Sequence, residues 1–378
     1  MILYDVYPLN PIEITKGLGS HVFDQKGTDY LDMYGGHAVI SIGHSHPHYV
    51  KKLTQQLQNI GFYSNSIEIP LQGQLAEKLG ALSNANNRQL FLCNSGAEAN
   101  ENALKLASFY NGRKRVIAFS GAFHGRTSLA VTVTDNPKIA APINQTSEVS
   151  FLPFNDVEAL EKVFRESGET IAAVIVEGIQ GVGGIQVATD QFLQTIRKLT
   201  SEYDAIFIAD EVQSGYGRTG SFYAVDHSGV EADIYTMAKG MGNGFPIGAL
   251  SICDKIKPWH GQLGTTFGGN HLACIAAISV LEVMQQEQLM SHAQKMGDYL
   301  MSELKKLPLI KEVRGRGLMI GIALPVEWAN LQKELLFQDH IFTGNAGSQV
   351  IRLLPALNLS YTDADRFLEC FSKRLQKY

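Results

Sequence analysis

The stretch AIFIADEVQSGYGRTG, Ala205 to Gly220, decides the reading of the fold. Its apolar start, Ala205 to Ala209, is bounded by charge and glycine and reads as a fully buried strand of a parallel sheet. Asp210 follows at once. A second apolar run, Ile234 to Ala238, ends in the same way on Lys239. Open α/β sheets bind ligands at the carboxyl ends of their strands, so Asp210 and Lys239 are candidates to face one site. A buried charge without a partner is costly, and each would need one. The plainer alternative makes Asp210 a helix cap and Lys239 a surface residue, and the strand ends alone leave the two readings level.

The rest of the chain follows an alternating β-α pattern around that core. Gln89 to Cys93 is a strand, and after Asn94-Ser95-Gly96 a helix begins, with Ala103, Leu106, Ala107 and Tyr110 on one face. Ser95 and Glu98 form a capping-box pattern. A helix start preceded by glycine offers free N–H groups and a positive dipole end to a phosphate, although an ordinary capped helix has the same pattern. Arg115 to Ser120 is a further strand, leading into GAFHGRTSLA. There Phe123 suits stacking on a ring and Arg126 suits a carboxylate; packed and surface roles are the alternatives. EVSFLPFND and IAAVIVEGIQGVGG supply two more buried strands, the second ending on Glu177. Upstream, HVFDQKGTDYLDM reads as a hairpin turning at Gln25-Lys26-Gly27. His44, His46 and His48 alternate across the start of a helix spanning Pro47 to Gln58, without the further ligands a zinc site requires.

Composition narrows the function classes. The chain has 378 residues, long enough for two domains, with 18% charged residues and a net charge of -5. No long run of one sign suggests a nucleic-acid surface or a polybasic membrane patch. Cys93, Cys253, Cys274 and Cys370 form no CxxC pair, as expected of reduced cytoplasmic thiols. MILYDVYPLN lacks the basic start and apolar core of a signal peptide, and runs such as IAAVIV are too short to cross a membrane. Gly215, Gly217 and Gly220 satisfy the dinucleotide fingerprint G-x-G-x-x-G. However, Asp210 to Gln213 intervene after the strand and no amphipathic helix opens at Arg218, which argues against a nicotinamide oxidoreductase.

A lysine amine and a carboxylate at neighbouring strand ends are what pyridoxal phosphate requires. The amine joins its aldehyde, and the acid keeps its pyridine nitrogen protonated so that the ring draws electrons. A non-enzymatic binding protein on this fold would give the pair no purpose. NSGAEANE, AFHGRT, VEGIQG, IADEVQSGYGRTG, MAKGMGNGFPIGA, GTTFGGNHLA and VRGRGLMIGI occur in this order across nearly the whole chain. By these motifs the chain resembles the class-III pyridoxal-phosphate aminotransferases, closest to the acetylornithine aminotransferase group. Its relatively short length favours that group over ornithine or 4-aminobutyrate aminotransferases.

The resemblance implies a type I aminotransferase fold of the α/β class. An arm over residues 1–40 precedes a large domain over 41–254 with a mostly parallel seven-stranded sheet; a smaller α/β domain over 255–378 carries VRGRGLMIGIAL as a strand and Tyr361 to Lys377 as a closing helix. It implies that Lys239 joins the cofactor and shuttles the proton, and that Asp210 bonds the ring nitrogen. Gln213 lies near the ring oxygen, cofactor contact runs on through Glu211 and Val212, Gly96 and Ala97 cradle the phosphate, and Phe123 stacks on the ring. Thr266 matches a phosphate contact made from the neighbouring subunit of a homodimer, and Thr265, Arg126 and Arg352 match substrate contacts. The implied substrates are an N-acylated ornithine and 2-oxoglutarate, with glutamate as product. Two positions depart from the family pattern. Val182 stands where a glutamate usually masks the arginine matched by Arg352, and His37 stands where an aliphatic residue is commoner. The first departure points to N-succinylornithine as an alternative donor to N-acetylornithine.

Overall fold

The computed structural model describes residues 1–325, 330–347 and 349–377. The chain enters through an antiparallel ladder, β1 (Ile14–Leu18), β2 (His21–Asp24) and β3 (Asp29–Asp32). The turn between β2 and β3 is tied by Asp24 Oδ1, which accepts from the N–H groups of Lys26 and Thr28, both at 2.9 Å. Beyond β3 the backbone winds through one left-handed helical turn, Gly35 to Ala38, with φ of 56°, 54°, 68° and 64°. Ala38 N donates to Tyr34 O at 3.0 Å and Val39 N to Gly35 O at 2.8 Å. Glycine enters this region freely, whereas His37 and Ala38 are there at a cost.

The central sheet contains β4 (Gln89–Cys93), β5 (Arg115–Phe119), β6 (Val149–Leu152) and β7 (Ile171–Glu177). After a short ribbon, β8 (Ile179–Gln180) with β9 (Gln186–Val187), it adds β10 (Ile206–Asp210), β11 (Ile234–Met237) and β12 (Gly248–Ile252). The order across the seven strands is β4-β12-β11-β10-β7-β5-β6. All run parallel except β12, which pairs antiparallel with both neighbours. The strands read as unbroken apolar runs because both faces are covered. Val174, Val176, Phe207 and Ala209 join one core with Phe192 and Ile196 of the helix Asp190–Glu202. Ala173, Ile175, Ile206 and Ile208 join another with Ala99, Ala103 and Leu106 of the helix Gly96–Asn111. The two-residue period thus assigns every strand-end side chain to one face or the other.

VRGRGLMIGIAL folds as a hairpin rather than the single strand expected from its sequence. β13 (Glu312–Arg316) and β14 (Met319–Ala323) pair antiparallel, with Arg316 opposite Met319. The chain reverses because Gly317 adopts φ +52°, with its backbone packed against Gly297, where a Cβ would lie 2.1 Å from Gly317 O. β15 (Ile341–Phe342) pairs parallel with β3, so this end of the chain is laced to the entrance ladder. β16 (Gly344–Ala346) and β17 (Val350–Leu353) complete the hairpin's sheet in the order β13-β14-β17-β16. The closing helix is Tyr361–Leu375. Among the described residues no helix is long and apolar enough to cross a membrane.

Candidate active site

Three strand ends line up on one face of the sheet. Glu177 on β7, Asp210 on β10 and Thr236 on β11 are register partners in adjacent strands. They lie on the face covered by the helix Gly96–Asn111, whose Asn100 reaches over them. Asn100 Nδ2 donates to Asp210 Oδ2 at 2.8 Å and to His124 O at 2.7 Å, while Thr236 Oγ1 donates to Asn100 Oδ1 at 2.7 Å. His124 Nδ1 meets the same Oδ2 at 2.7 Å, and Val212 N donates to Oδ1 at 3.0 Å. Asp210 is 4% exposed, and these bonds offset the burial of its charge. A carboxylate accepts about four hydrogen bonds, so one position on Oδ1 remains for a further donor.

Glu177 is held by two backbone donors, Phe123 N and Gly181 N, each at 3.0 Å. Burial pushes its carboxyl well up despite His124, and the neighbouring Asp210 pushes the same way. Lys239 follows β11 with φ +46° in a tight turn. Ser41 Oγ braces that turn, donating to Gly240 O at 2.7 Å; Asn243 Oδ1 in turn accepts from Ser41 N at 2.8 Å. Burial lowers the affinity of the Lys239 amine for its proton, with Asp210 and Glu177 opposing and Arg352 adding to the effect. A desolvated amine of this kind is a competent nucleophile towards a carbonyl.

These groups line one cavity of about 680 Å³. Ser95, Gly96 and Ala97 form one end of it, where the helix Gly96–Asn111 starts. Ser95 Oγ accepts from Glu98 N at 3.2 Å as the capping box requires, but the Glu98 carboxylate reaches Asn94 N, at 2.6 Å, instead of returning to Ser95. Val212 packs on the glycine so closely that a Cβ at Gly96 would fall 2.6 Å from its Cγ1. Phe123, Arg126, Val182, Gln213 and His37 line the remaining walls, with Arg352 entering from β17. Gln213 Oε1 and His124 Nε2 are buried without a partner among the described residues.

Not every residue expected at the site is in this wall. Glu211 is turned away: strand alternation sends its carboxylate to the other face, where it accepts from Ser214 Oγ at 2.8 Å and Val225 N at 3.1 Å. Thr265 and Thr266 are not among the residues lining the cavity. Thr265 Oγ1 accepts from Asn94 Nδ2 at 3.2 Å, and Thr266 is exposed. His44, His46 and His48 point to three separate carboxylates, Asp32, Glu287 and Glu282, at 2.7–2.9 Å. Sequence reasoning passed over Asn100 and Tyr34. Asn100 sits one helical turn after the cap, a polar residue on an otherwise apolar helix face, which is the signal that marks it.

The chain matches the family model described as aminotransferase class-III over residues 5–375. It is 40% identical over 370 residues to an acetylornithine aminotransferase of Archaeoglobus fulgidus, covering 97% of this chain and 96% of that protein. It is 39% identical over 383 residues to a succinylornithine transaminase of Photorhabdus laumondii, covering 96% and 93%. Among solved structures, an acetylornithine aminotransferase from Elizabethkingia anophelis superposes with a TM-score of 0.88 at 32% identity, covering 100% of this chain and 96% of that one.

Proposed function

The chain belongs to the class-III aminotransferases, pyridoxal-phosphate-dependent transaminases, and on that premise we propose that it moves the δ-amino group of an N-acylated ornithine to 2-oxoglutarate, releasing glutamate. The observation that carries this reading is the convergence of Asp210, Lys239 and Arg352 on one cavity. The residues fit the cofactor: Asp210 keeps one acceptor position, and the glycine-opened helix start offers unpaired N–H groups to a phosphate. Bound there, pyridoxal phosphate supplies an electron-withdrawing ring that stabilises negative charge on the substrate carbon.

In this reading Asp210 holds a proton at the ring nitrogen, and His124 with Asn100 fixes its orientation. Gly96 and Ala97 would hold the phosphate, Phe123 and Val212 would flank the ring, and Gln213 would serve its oxygen. Lys239 takes the proton from the substrate carbon as a free base, a role its burial favours. Arg126 and Arg352 bind the carboxylates of 2-oxoglutarate, whose two charges match two planar guanidinium forks. Acylation suits the chemistry because it removes the charge on the α-amine and prevents the product aldehyde from cyclising.

N-succinylornithine is a second donor reading, favoured by one observation. Arg352 forms no ion pair with a carboxylate among the described residues, and Val182, 48% exposed, occupies the adjoining wall. A donor panel decides between them: glutamate formation from 2-oxoglutarate is measured with N-acetylornithine, N-succinylornithine, ornithine and 4-aminobutyrate. Fast turnover with one acylated donor and little with ornithine supports the reading and names the acyl group. Turnover only with ornithine or 4-aminobutyrate overturns it.

We further propose a cytoplasmic homodimer with an arm over 1–40, a large domain over 41–254 and a small domain over 255–378. Four free thiols support the compartment, and exposed Phe62, Tyr63 and Phe267 support the pairing. Thr266 is assigned to the phosphate in the partner's site, and Thr265 to substrate.

A further inference from the structure

Arg352 is 5% exposed, yet its nearest partners carry no charge. Nη1 donates to Gly181 O at 3.0 Å and Nη2 to Tyr34 Oη at 3.1 Å, while Nε is buried without a partner among the described residues. The guanidinium also sits 5.7 Å from the centre of the Tyr34 ring. The Tyr34 hydroxyl in turn meets His37 Nδ1. His37 is held in the left-handed turn, φ +68°, beside the cavity. Strained backbone of this kind persists where its surroundings demand it, and it clusters at functional sites.

We propose that Tyr34 and His37 form an uncharged clasp on Arg352, positioning residues that aim its guanidinium at a substrate carboxylate in place of a masking acid. The proposal rests on the reading of Arg352 as a carboxylate site. The direction of each bond follows from donor chemistry. A guanidinium only donates, so Tyr34 Oη accepts from Nη2 and must send its own proton to His37 Nδ1. The clasp therefore requires a neutral imidazole with Nδ1 free, and the two bonds polarise each other in one direction. A proton on Nδ1 would leave the phenol hydrogen without an acceptor and place a second cation beside Arg352.

The groups that act on His37 come from three elements. Tyr34 shares its turn, Arg352 faces it from β17, and Lys239 faces it from the turn after β11. The Gln213 side chain donates to His37 O at 3.4 Å, and Asp32 acts on Tyr34 from β3. Burial, Arg352 and Lys239 all lower the proton affinity of His37, so the neutral form that the clasp needs is the one present near neutral pH.

Glutarate, a dicarboxylate that cannot react, is the probe, titrated by calorimetry into the cofactor-loaded enzyme across the acid limb. Tyr34→Phe is expected to weaken glutarate about tenfold where His37 is neutral, the loss of one charge-assisted hydrogen bond, with the difference from wild type closing as pH drops through the His37 titration. The same variant raises the KM for 2-oxoglutarate by more than it lowers kcat. Wild-type affinity falls as pH drops through the His37 titration. His37→Asn keeps a neutral acceptor in a residue that tolerates left-handed backbone, so it loses less affinity than Tyr34→Phe and lacks that inflection. The probe's own titration is common to all three proteins. Tight binding with an inflection indifferent to both variants overturns the clasp alone. An absence of glutarate binding to the wild type overturns the clasp and the reading of Arg352 together.

Discussion

Asp210 is the residue on which the site's electrostatics turn. Oδ2 accepts hydrogen bonds from both Asn100 and His124, so its environment is built for an anion. Asp210→Asn would set an amide NH2 against a donor whichever way it turns, Asn100 and His124 on one side or Val212 N on the other, and a buried unsatisfied donor costs about 1–3 kcal/mol. We expect a lower melting temperature and a loss of at least about a hundredfold in kcat/KM, since the proton at the ring nitrogen loses its ion partner. Unchanged kinetics would remove Asp210 from the proposed role. Asp210 and Lys239 stood out in the sequence because each ends an apolar strand. Their partners did not: His124 and Asn100 lie 86 and 110 positions from Asp210, and no local periodicity links them.

Glu211, one residue on, obeys the opposite logic. Burial raises its carboxyl from 4.5 to about 8, with Ser214 and the N–H of Val225 opposing. The folded state then holds a proton that the unfolded chain releases above its ordinary value. Its contribution is complete below about 4.5 and is lost as pH rises through about 8. Glu211→Gln is isosteric and cannot ionise, so its melting temperature should gain on the wild type as pH rises from about 5 to about 9. Parallel melting curves across that range would show that the group does not titrate there.

At the scale of elements, the helix Gly96–Asn111 does two things at once. Its apolar face packs on the sheet, and its start forms the end of the cavity. Ser95→Ala removes the cap and should cost about 1 kcal/mol, seen as a lower denaturant midpoint. Gly96→Ala acts differently: the new methyl would meet Val212 Cγ1 at 2.6 Å, and overpacking costs about 1–3 kcal/mol. Because Val212 N also bonds Asp210, moving Val212 should loosen the cofactor as well. Faster release of cofactor absorbance on dialysis checks this, and a Gly96→Ala protein that keeps its cofactor as wild type would refute it. The capped start was legible from Ser95 and Glu98, and the strands from their unbroken apolar runs. The left-handed turn at Gly35 to Ala38 was not, because neither His37 nor Ala38 announces positive φ. The hairpin at Gly317 was missed because an apolar run interrupted by glycines reads as one strand until the reversal is seen.

For the whole molecule the question is what completes the cavity. Thr266 is exposed and lies outside the walls, so in one chain alone it has no part in the site. The motif GTTFGG named Thr266 and, by resemblance, the neighbouring chain's site as the one it serves, but no local pattern in the sequence displays the surface that would bring it there. If two copies share their sites, each site takes Lys239 from one chain and Thr266 from the other. Lys239→Ala and Thr266→Glu should then each be inactive or nearly so, the second by setting a negative charge beside the phosphate. Co-expressed, half of the randomly paired dimers carry one variant of each kind. In those dimers one site collects both defects and the other none, so activity should return to roughly a quarter of wild type. If Thr266 serves its own chain, every site keeps one defect and mixing restores nothing. Sedimentation of the mixed sample at twice the chain mass separates a failure of sharing from a failure to pair.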